Sequence, residues 1–254
     1  MKLWQHREES PEITPLIPEN KTSDRAVVIF PGGGYLLRAE HEGAGYARFL
    51  NKHGITAFVV DYRVAPATFP LPLLDARRAV RLVRANAALF GIDPQQVAVM
   101  GSSAGGHLAA MTSTYLSPID GEGVDEIDEQ PFLPDAQILC YPVICAPADD
   151  NVAHVGSYRA LLGEERFADC AAYDPSQLVS ASTPPAFMWH TASDNTVNVI
   201  NSYRYATALR QHDIDVEMHI FPHGRHGLGL CEQEEPHTAQ WANLLLNWLA
   251  YTDK

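Results

Sequence analysis

Two kinds of apolar segment alternate along most of this 254-residue chain. Short runs rich in β-branched residues have the length of buried strands, and longer segments with apolar residues at helical spacing follow most of them. We expect strands at 26–30, 55–60, 97–100, 136–143, 186–191 and 216–221, and helices at 42–53, 74–90, from the turn at 101–106 to about 115, 198–212 and 236–251. Such alternation produces a mainly parallel sheet with helices on both faces. The sequence therefore predicts an α/β fold, with one doubly wound domain over residues 1–254.

Charge and cysteine usage exclude several kinds of partner. The chain has 31 Asp and Glu against 18 Lys and Arg, a formal net charge of −13, whereas nucleic acids and anionic membranes bind clustered cations. Residues 1–9 lack the apolar core of a signal peptide, and no apolar run approaches the roughly 20 residues of a membrane-spanning helix. We expect a soluble cytoplasmic protein that binds neither nucleic acid nor membrane and whose four cysteines are unpaired: Cys140, Cys145, Cys170 and Cys231.

Three segments do not follow the alternation. Residues 117–134 carry six acidic side chains and no cation, so we expect a solvated surface loop. Residues 146–185 form a longer excursion at the edge of the sheet where ligands bind, so we expect a partial cap there. Prolines at 11, 15 and 18 predict an extended segment before the first strand instead of a helical cap. On the helix expected at 74–90, four arginines are interpreted as a solvated face: Arg77, Arg78, Arg81 and Arg84.

A serine between a strand and a helix carries the strongest chemical signal. In Gly101-Ser102-Ser103-Ala104-Gly105, Ser103 lies on a sharp turn that needs small neighbours, because its backbone is strained and the helix packs closely. The turn lifts the hydroxyl above the sheet, beside the first N–H groups of the helix. Ser102 lacks a glycine two positions before it, so we expect Ser103 to be a nucleophile. The alternative is a serine in a tight glycine-rich turn without chemistry.

A serine nucleophile needs a histidine to remove its proton. His226 lies in a glycine-flanked loop just after the strand expected at 216–221, from which it can reach a neighbouring strand end. His223 lies closer to that strand and is the second choice. We interpret His190, within a strand, and His107, in the first turns of a helix, as structural.

The histidine in turn needs an acid to orient it. Asp194 follows the strand expected at 186–191, so it lies at the carboxyl edge of the sheet, one strand before His226. Asp149 and Asp174 are rivals on the excursion at 146–185, but neither follows a strand so directly. We therefore choose Asp194.

Acyl transfer also needs N–H donors for the negative charge that develops on the carbonyl oxygen. Three consecutive glycines follow the strand expected at 26–30 and offer unhindered backbone N–H groups. We choose Gly33 and Gly34 as oxyanion donors, together with the N–H of Ala104 beside the nucleophile. The alternative for the glycine run is a flexible loop.

From about residue 25 to residue 248 the chain resembles α/β-hydrolases of the esterase and lipase superfamily. Val60-Asp61-Tyr62-Arg63-Val64-Ala65-Pro66 resembles the DYRLAP segment of hormone-sensitive-lipase-like esterases, and the segments 91–94 and 101–106 match as well. Pro31 stands where that family has the histidine of His-Gly-Gly-Gly. Pro-Gly-Gly-Gly-Tyr at 31–35, with the segments 183–187 and 190–194, is more similar to small acetyl esterases described as xylan- or xylo-oligosaccharide-degrading.

The resemblance implies the α/β-hydrolase fold and a serine carboxylesterase without a cofactor. Its substrate would be a small-molecule ester with a short acyl group, such as the O-acetyl group of a xylo-oligosaccharide. No metal-binding spacing such as HExxH occurs. Two alternatives are an amidase of the same fold, such as an arylformamidase or a small peptidase, and a non-catalytic binding protein. The sequence is also compatible with a homo-oligomer.

Overall fold

Seven strands form one sheet in the computed structural model, which describes residues 1–5, 10–147 and 151–252. They are β1 (Ile13–Leu16), β2 (Ala26–Phe30), β3 (Thr56–Val60), β4 (Val97–Ser102), β5 (Ala136–Cys140), β6 (Ala186–Thr191) and β7 (Val216–Phe221). Their order is β1-β3-β2-β4-β5-β6-β7, and every neighbouring pair except β1 with β3 is parallel. The mainly parallel, doubly wound sheet predicted from the alternation is therefore confirmed.

Helices cover both faces of this sheet. They are α1 (Glu40–Lys52), α2 (Leu71–Ala85), α3 (Ala87–Phe90), α4 (Ser103–Thr114), α5 (Val155–Phe167), α6 (Pro175–Leu178), α7 (Ile200–Gln211) and α8 (Trp241–Thr252). Side chains alternate along β2: Val28 packs in the cluster with α2 and α4, whereas Val27 packs in the cluster with α1 and α8. The central strands are buried on both sides, as parallel strands under two helical layers must be. Among the described residues, no helix is long and apolar enough to cross a membrane.

The N-terminal segment is extended, as predicted, but it also forms an edge strand that the sequence did not predict. β1 pairs antiparallel with β3, with Ile13 opposite Val60 and Leu16 opposite Ala57. An edge strand tolerates Pro15 because only one of its sides must supply N–H groups to a neighbour. The chain before Gly32 therefore extends the sheet and, in its described part, contains no helix.

The prediction that the arginines of α2 face solvent is wrong. Arg77 and Arg78 are fully buried, and Arg81 and Arg84 are nearly so. The Arg78 guanidinium binds both carboxylate oxygens of Asp125, at 2.5 and 2.6 Å, and Asp128 at 2.8 Å. The physical reason is that an ionised side chain can enter a protein interior only with opposite charges and hydrogen bonds around it.

The same kind of contact corrects part of the prediction of a solvated acidic loop at 117–134. Three of its six carboxylates bind the arginines of α2, and the other three are exposed: Asp120, Glu126 and Glu129. Glu122 accepts hydrogen bonds from Arg77 at 3.1 Å and from Arg81 at 2.9 Å. The Phe132 ring lies 4.0 Å from the Arg77 guanidinium carbon. The segment folds over α2 because its carboxylates neutralise the buried guanidinium groups. Helical periodicity cannot reveal such a partner, since the two segments lie more than 40 residues apart.

The excursion at 146–185 contains α5, one turn of 3₁₀ helix (Cys170–Tyr173) and α6. The backbone of α5 departs from helical geometry at Gly163, which has a φ of +66°. Tyr158 of α5 donates a hydrogen bond to the Ile144 carbonyl at 2.6 Å, and Phe69 N–H donates to the Leu161 carbonyl at 2.6 Å. These bonds fasten the excursion to the segment that follows β5 and to the segment between β3 and α2.

Candidate active site

Ser103 lies at the junction of β4 and α4, in a backbone conformation unusual for a residue with a side chain. Its φ is +52°, which costs free energy that the surrounding packing must supply. An added Cβ at Gly101 would overlap the Gly105 carbonyl oxygen, and one at Gly105 would overlap the Phe30 carbonyl oxygen. The glycines flanking this serine are therefore required by the close approach of backbone segments.

Three strand ends bring Ser103, His226 and Asp194 together. Ser103 follows β4, Asp194 follows β6 and His226 follows β7, all at the carboxyl edge of the sheet. His226 Nε2 lies 2.8 Å from Ser103 Oγ, and His226 Nδ1 lies 2.6 Å from Asp194 Oδ2. The imidazole can thus donate from Nδ1 to the carboxylate while Nε2 accepts the serine hydroxyl proton.

Asp194 is held ionised by several donors. Its Oδ1 accepts the N–H groups of Thr196 at 2.8 Å and Val197 at 2.9 Å, and its Oδ2 lies 3.3 Å from His190 Nε2. Burial alone would raise the pKa of Asp194, but hydrogen bonds from His190, His226 and the Val197 amide hold this pKa well below its ordinary value. A carboxylate that stays ionised can orient His226 and stabilise its protonated form.

Of the histidines and the serine that were set aside, His190 contacts Asp194, and the others bind elsewhere or are exposed. His190 is buried in β6, with Nδ1 2.8 Å from Ser202 Oγ. His107 is buried between the Tyr35 hydroxyl and the Tyr173 carbonyl, and His223 is exposed. Ser102 Oγ bonds to the Tyr46 hydroxyl at 2.9 Å.

The rival acid that the structure describes, Asp174, has partners other than His226. Asp174 accepts the N–H groups of Ser176 and Ala146, each at 2.9 Å, and so caps the first turn of α6 and anchors the excursion. Asp149 lies outside the described residues.

The glycine loop after β2 lies against the nucleophile. A Cβ added to Gly32 would be 3.2 Å from Ser103 Cβ. Gly33 and Gly34 have φ values of +131° and +66°, which favour glycine. Within the described part of the chain, the N–H groups of Gly33, Gly34 and Ala104 donate no hydrogen bond. Donors left unpaired beside a serine hydroxyl are suited to an oxyanion.

Two residues near Gly34 were not singled out in the sequence. His154 is the N-cap residue of α5, and its Nδ1 lies 2.8 Å from Ser157 Oγ. Ser157 Oγ is 4.0 Å from the position of a Cβ on Gly34. Burial and the charge of His226 lower the pKa of His154. The start of α5 therefore borders the glycine loop and the histidine.

Glu42 and Tyr141 were also missed. Glu42 Oε2 accepts the Gly32 N–H at 2.9 Å, and Glu42 Oε1 accepts the Tyr141 hydroxyl at 2.6 Å. One signal was available: Glu42 shares a helix face with Tyr46 and Leu50, both fully buried. An acidic residue on an apolar helix face indicates a buried carboxylate with specific partners. Among the described residues, no group of three or more His, Cys, Asp or Glu side chains could hold a metal ion.

Comparisons with known proteins agree with this geometry. The sequence model of the BD-FAE family matches residues 16–209. An acetylxylan esterase from Xylanibacter ruminicola is 37% identical over 92% of this chain and 46% of its own length. An endo-1,4-β-xylanase B from Butyrivibrio fibrisolvens is 32% identical over 91% of this chain and 38% of its own length. The chain thus spans less than half the length of these two curated relatives.

A solved structure matches over almost the full length of both chains. The acetyl ester-xyloside bifunctional hydrolase from Caldicellulosiruptor lactoaceticus is 39% identical, with a TM-score of 0.89 over 99% of this chain and 95% of that one. This chain has the α/β-hydrolase fold, and its Ser103, Asp194 and His226 meet at the carboxyl ends of three strands of the sheet.

Proposed function

The chain belongs to the BD-FAE family, and from this premise we propose that it is a serine ester hydrolase that removes acetyl groups from carbohydrates. One observation carries the proposal: an unbroken hydrogen-bond chain from Ser103 Oγ through His226 to Asp194, beside three N–H groups that have no hydrogen-bond partner among the described residues. The names of the relatives support the acetyl group and the xylose-based carbohydrate, since two of them are an acetylxylan esterase and an acetyl ester-xyloside hydrolase.

In the first half of the proposed reaction, His226 Nε2 takes the proton of Ser103 Oγ as that oxygen attacks the ester carbonyl carbon. The N–H groups of Gly33, Gly34 and Ala104 bind the resulting oxyanion, each donor contributing about 3 kcal/mol to the stability of the transition state. His226 then gives its proton to the alcohol oxygen, the C–O bond breaks, and the acyl group remains on Ser103.

In the second half, water cleaves the acyl-enzyme. His226 takes a proton from the water as its oxygen attacks the acyl carbon, and it returns that proton to Ser103 Oγ when the carboxylic acid leaves. Asp194 stays ionised throughout and holds the imidazole in the tautomer that accepts at Nε2. Every proton removed is returned, so the reaction needs no cofactor.

The surroundings of Ser103 support a short acyl group. The described residues before Gly32 form two strands and their connections, with no helix among them. The excursion at 146–185 supports a cover over the site, because Ser157 borders the glycine loop and His154 lies near enough to His226 to feel its charge. We propose that this excursion is a partial cap on a single domain, without a deep acyl channel.

We also propose that the protein is cytoplasmic and that it can form a homo-oligomer. All four cysteines are free and buried, which supports a cytoplasmic location. Cell fractionation tests the location, and light scattering after size-exclusion chromatography tests for a homo-oligomer.

The experiment that tests the proposed function is release of acetate from acetylated xylo-oligosaccharides. The wild-type protein should release acetate, and the Ser103→Ala variant should release it several powers of ten more slowly. N-Formylkynurenine, offered in parallel, measures the amidase alternative. Turnover of N-formylkynurenine with no release of acetate would refute the proposal.

A further inference from the structure

Glu42 is a buried carboxylate that the proposed mechanism does not use. It lies in the first turn of α1, with 3% of its side chain exposed. Within the described residues, the basic side chain within 4 Å of it is the exposed ring of His41, whose Nε2 lies 3.8 Å from Glu42 Oε1. A carboxylate without a close guanidinium or ammonium group must gain its stability in the interior from hydrogen bonds.

The two oxygens of Glu42 bind two different loops of the site. Oε2 accepts the N–H of Gly32, which leads into the oxyanion donors. Oε1 accepts the hydroxyl of Tyr141, and the Tyr141 oxygen accepts the N–H of Gly229 at 3.0 Å. Gly229 follows His226 by three residues, so a single carboxylate connects the glycine loop to the histidine loop.

The direction of these hydrogen bonds follows from the proton count. Tyr141 donates its single hydroxyl proton to Glu42 Oε1. Tyr46, whose hydroxyl lies 3.1 Å from that of Tyr141, then donates to Tyr141 or to Ser102. The Tyr141 ring also packs edge-on against the His226 ring, with the ring centres 5.1 Å apart. The network thus reaches the residue before the nucleophile and the face of the imidazole.

We propose that Glu42 is a positioning residue that fixes the oxyanion N–H groups and His226 relative to each other. This relative position, their register, lets both act on the same tetrahedral intermediate. The inference rests on the proposed esterase function. A loss of register weakens interactions made only in the transition state, so it lowers kcat and leaves KM nearly unchanged. Displacements of about 1 Å in such sites cost about 100-fold in rate.

Three variants test this role with p-nitrophenyl acetate as substrate. Glu42→Gln keeps the size but cannot accept at both positions, Glu42→Asp keeps the charge but is one CH₂ shorter, and Tyr141→Phe removes the link to Gly229. Each should lower kcat at least tenfold and change KM less than twofold.

Tyr205→Phe is the matched control. Its hydroxyl, as buried as that of Tyr141, donates to Gln137 at 2.8 Å near the amino end of β5, the opposite end of the sheet from the site. It should keep kcat within twofold, and thermal melting checks that all four variants are folded at the assay temperature.

The outcomes separate this inference from the proposed function. A folded Glu42→Gln enzyme with the kcat of the wild type, or a change confined to KM, overturns the positioning role. Full activity in Glu42→Asp would show that only the charge matters and would also overturn it. A wild-type enzyme no more active than Ser103→Ala refutes the proposed function itself, and the inference falls with it.

Discussion

Lowering the pH should lower the free energy of unfolding of this protein, because His107 is buried in its neutral form. His107 is 1% exposed, and its ring lies between the Tyr35 hydroxyl at 2.8 Å and the Tyr173 carbonyl at 3.0 Å. The neutral ring fits this environment, because Nε2–H donates to the carbonyl while Nδ1 accepts the hydroxyl proton. Burial lowers the pKa of His107 from 6.5 to about 4.

The sign and size of the effect follow from linkage. Between pH 6.5 and 4 the unfolded chain binds a proton on this histidine and the folded protein does not, so the free energy of unfolding falls as pH falls. One pKa unit corresponds to about 1.4 kcal/mol, so the depression of the His107 pKa removes about 3 kcal/mol over this range. Below pH 4 both states bind the proton and the contribution no longer changes.

The assay is urea unfolding, followed by tryptophan fluorescence, at a series of pH values from 7.5 to 4. The His107→Gln variant has no titrating group at this position, and its remaining groups match those of the wild type. The difference in unfolding free energy between the two proteins should therefore shrink by about 3 kcal/mol as the pH falls from 7.5 to 4. A difference that stays constant with pH would refute the reasoning, whatever its absolute value.

Three further predictions concern catalysis and the buried charges. Asp194→Asn should lower kcat about 10⁴-fold and His226→Ala more; an Asp194→Asn enzyme with wild-type kcat would contradict the role of the acid. On p-nitrophenyl esters, kcat/KM should be highest for acetyl or propionyl groups and fall steeply by octanoyl. Without an acyl channel, each added CH₂ of the acyl chain gains little of the ~0.8 kcal/mol that its burial could contribute. A kcat/KM that rises through decanoyl would contradict this. Arg78→Met should lower the urea-unfolding free energy by about 3 kcal/mol, since it leaves Asp128 buried and poorly paired; an unchanged midpoint would contradict it.

The sequence was sufficient for the parts of the fold that depend on local patterns. β2, β6 and β7 have the predicted bounds: β2 and β6 are buried strands with turn residues after them, and β7 is a partly buried edge strand, also with turn residues after it. The three residues chosen as nucleophile, base and acid each follow a strand, and the structure brings them within hydrogen-bonding distance. Their catalytic roles stay predictions until variants are assayed.

Features that depend on distant partners were not predicted. The pairing of β1 depends on β3, more than 40 residues later. Arg78 resembles a surface arginine until Asp125 and Asp128 are placed over it. Glu42 resembles an ordinary helix-start acid, because its partners are a backbone amide and a tyrosine 99 residues away. Local sequence patterns do not identify such distant partners; for Glu42 the pattern of buried neighbours on its helix face indicates burial but not what it binds.

The central claim is that Ser103 carries the acyl group during turnover. A fluorophosphonate probe, with the modified peptide identified by mass spectrometry, measures this directly. We predict one probe per chain, attached to Ser103, with no labelling of Ser103→Ala and much slower labelling of His226→Ala. Acetyl-ester turnover that persists in Ser103→Ala, or a probe attached to another residue while Ser103 stays unmodified, would contradict it.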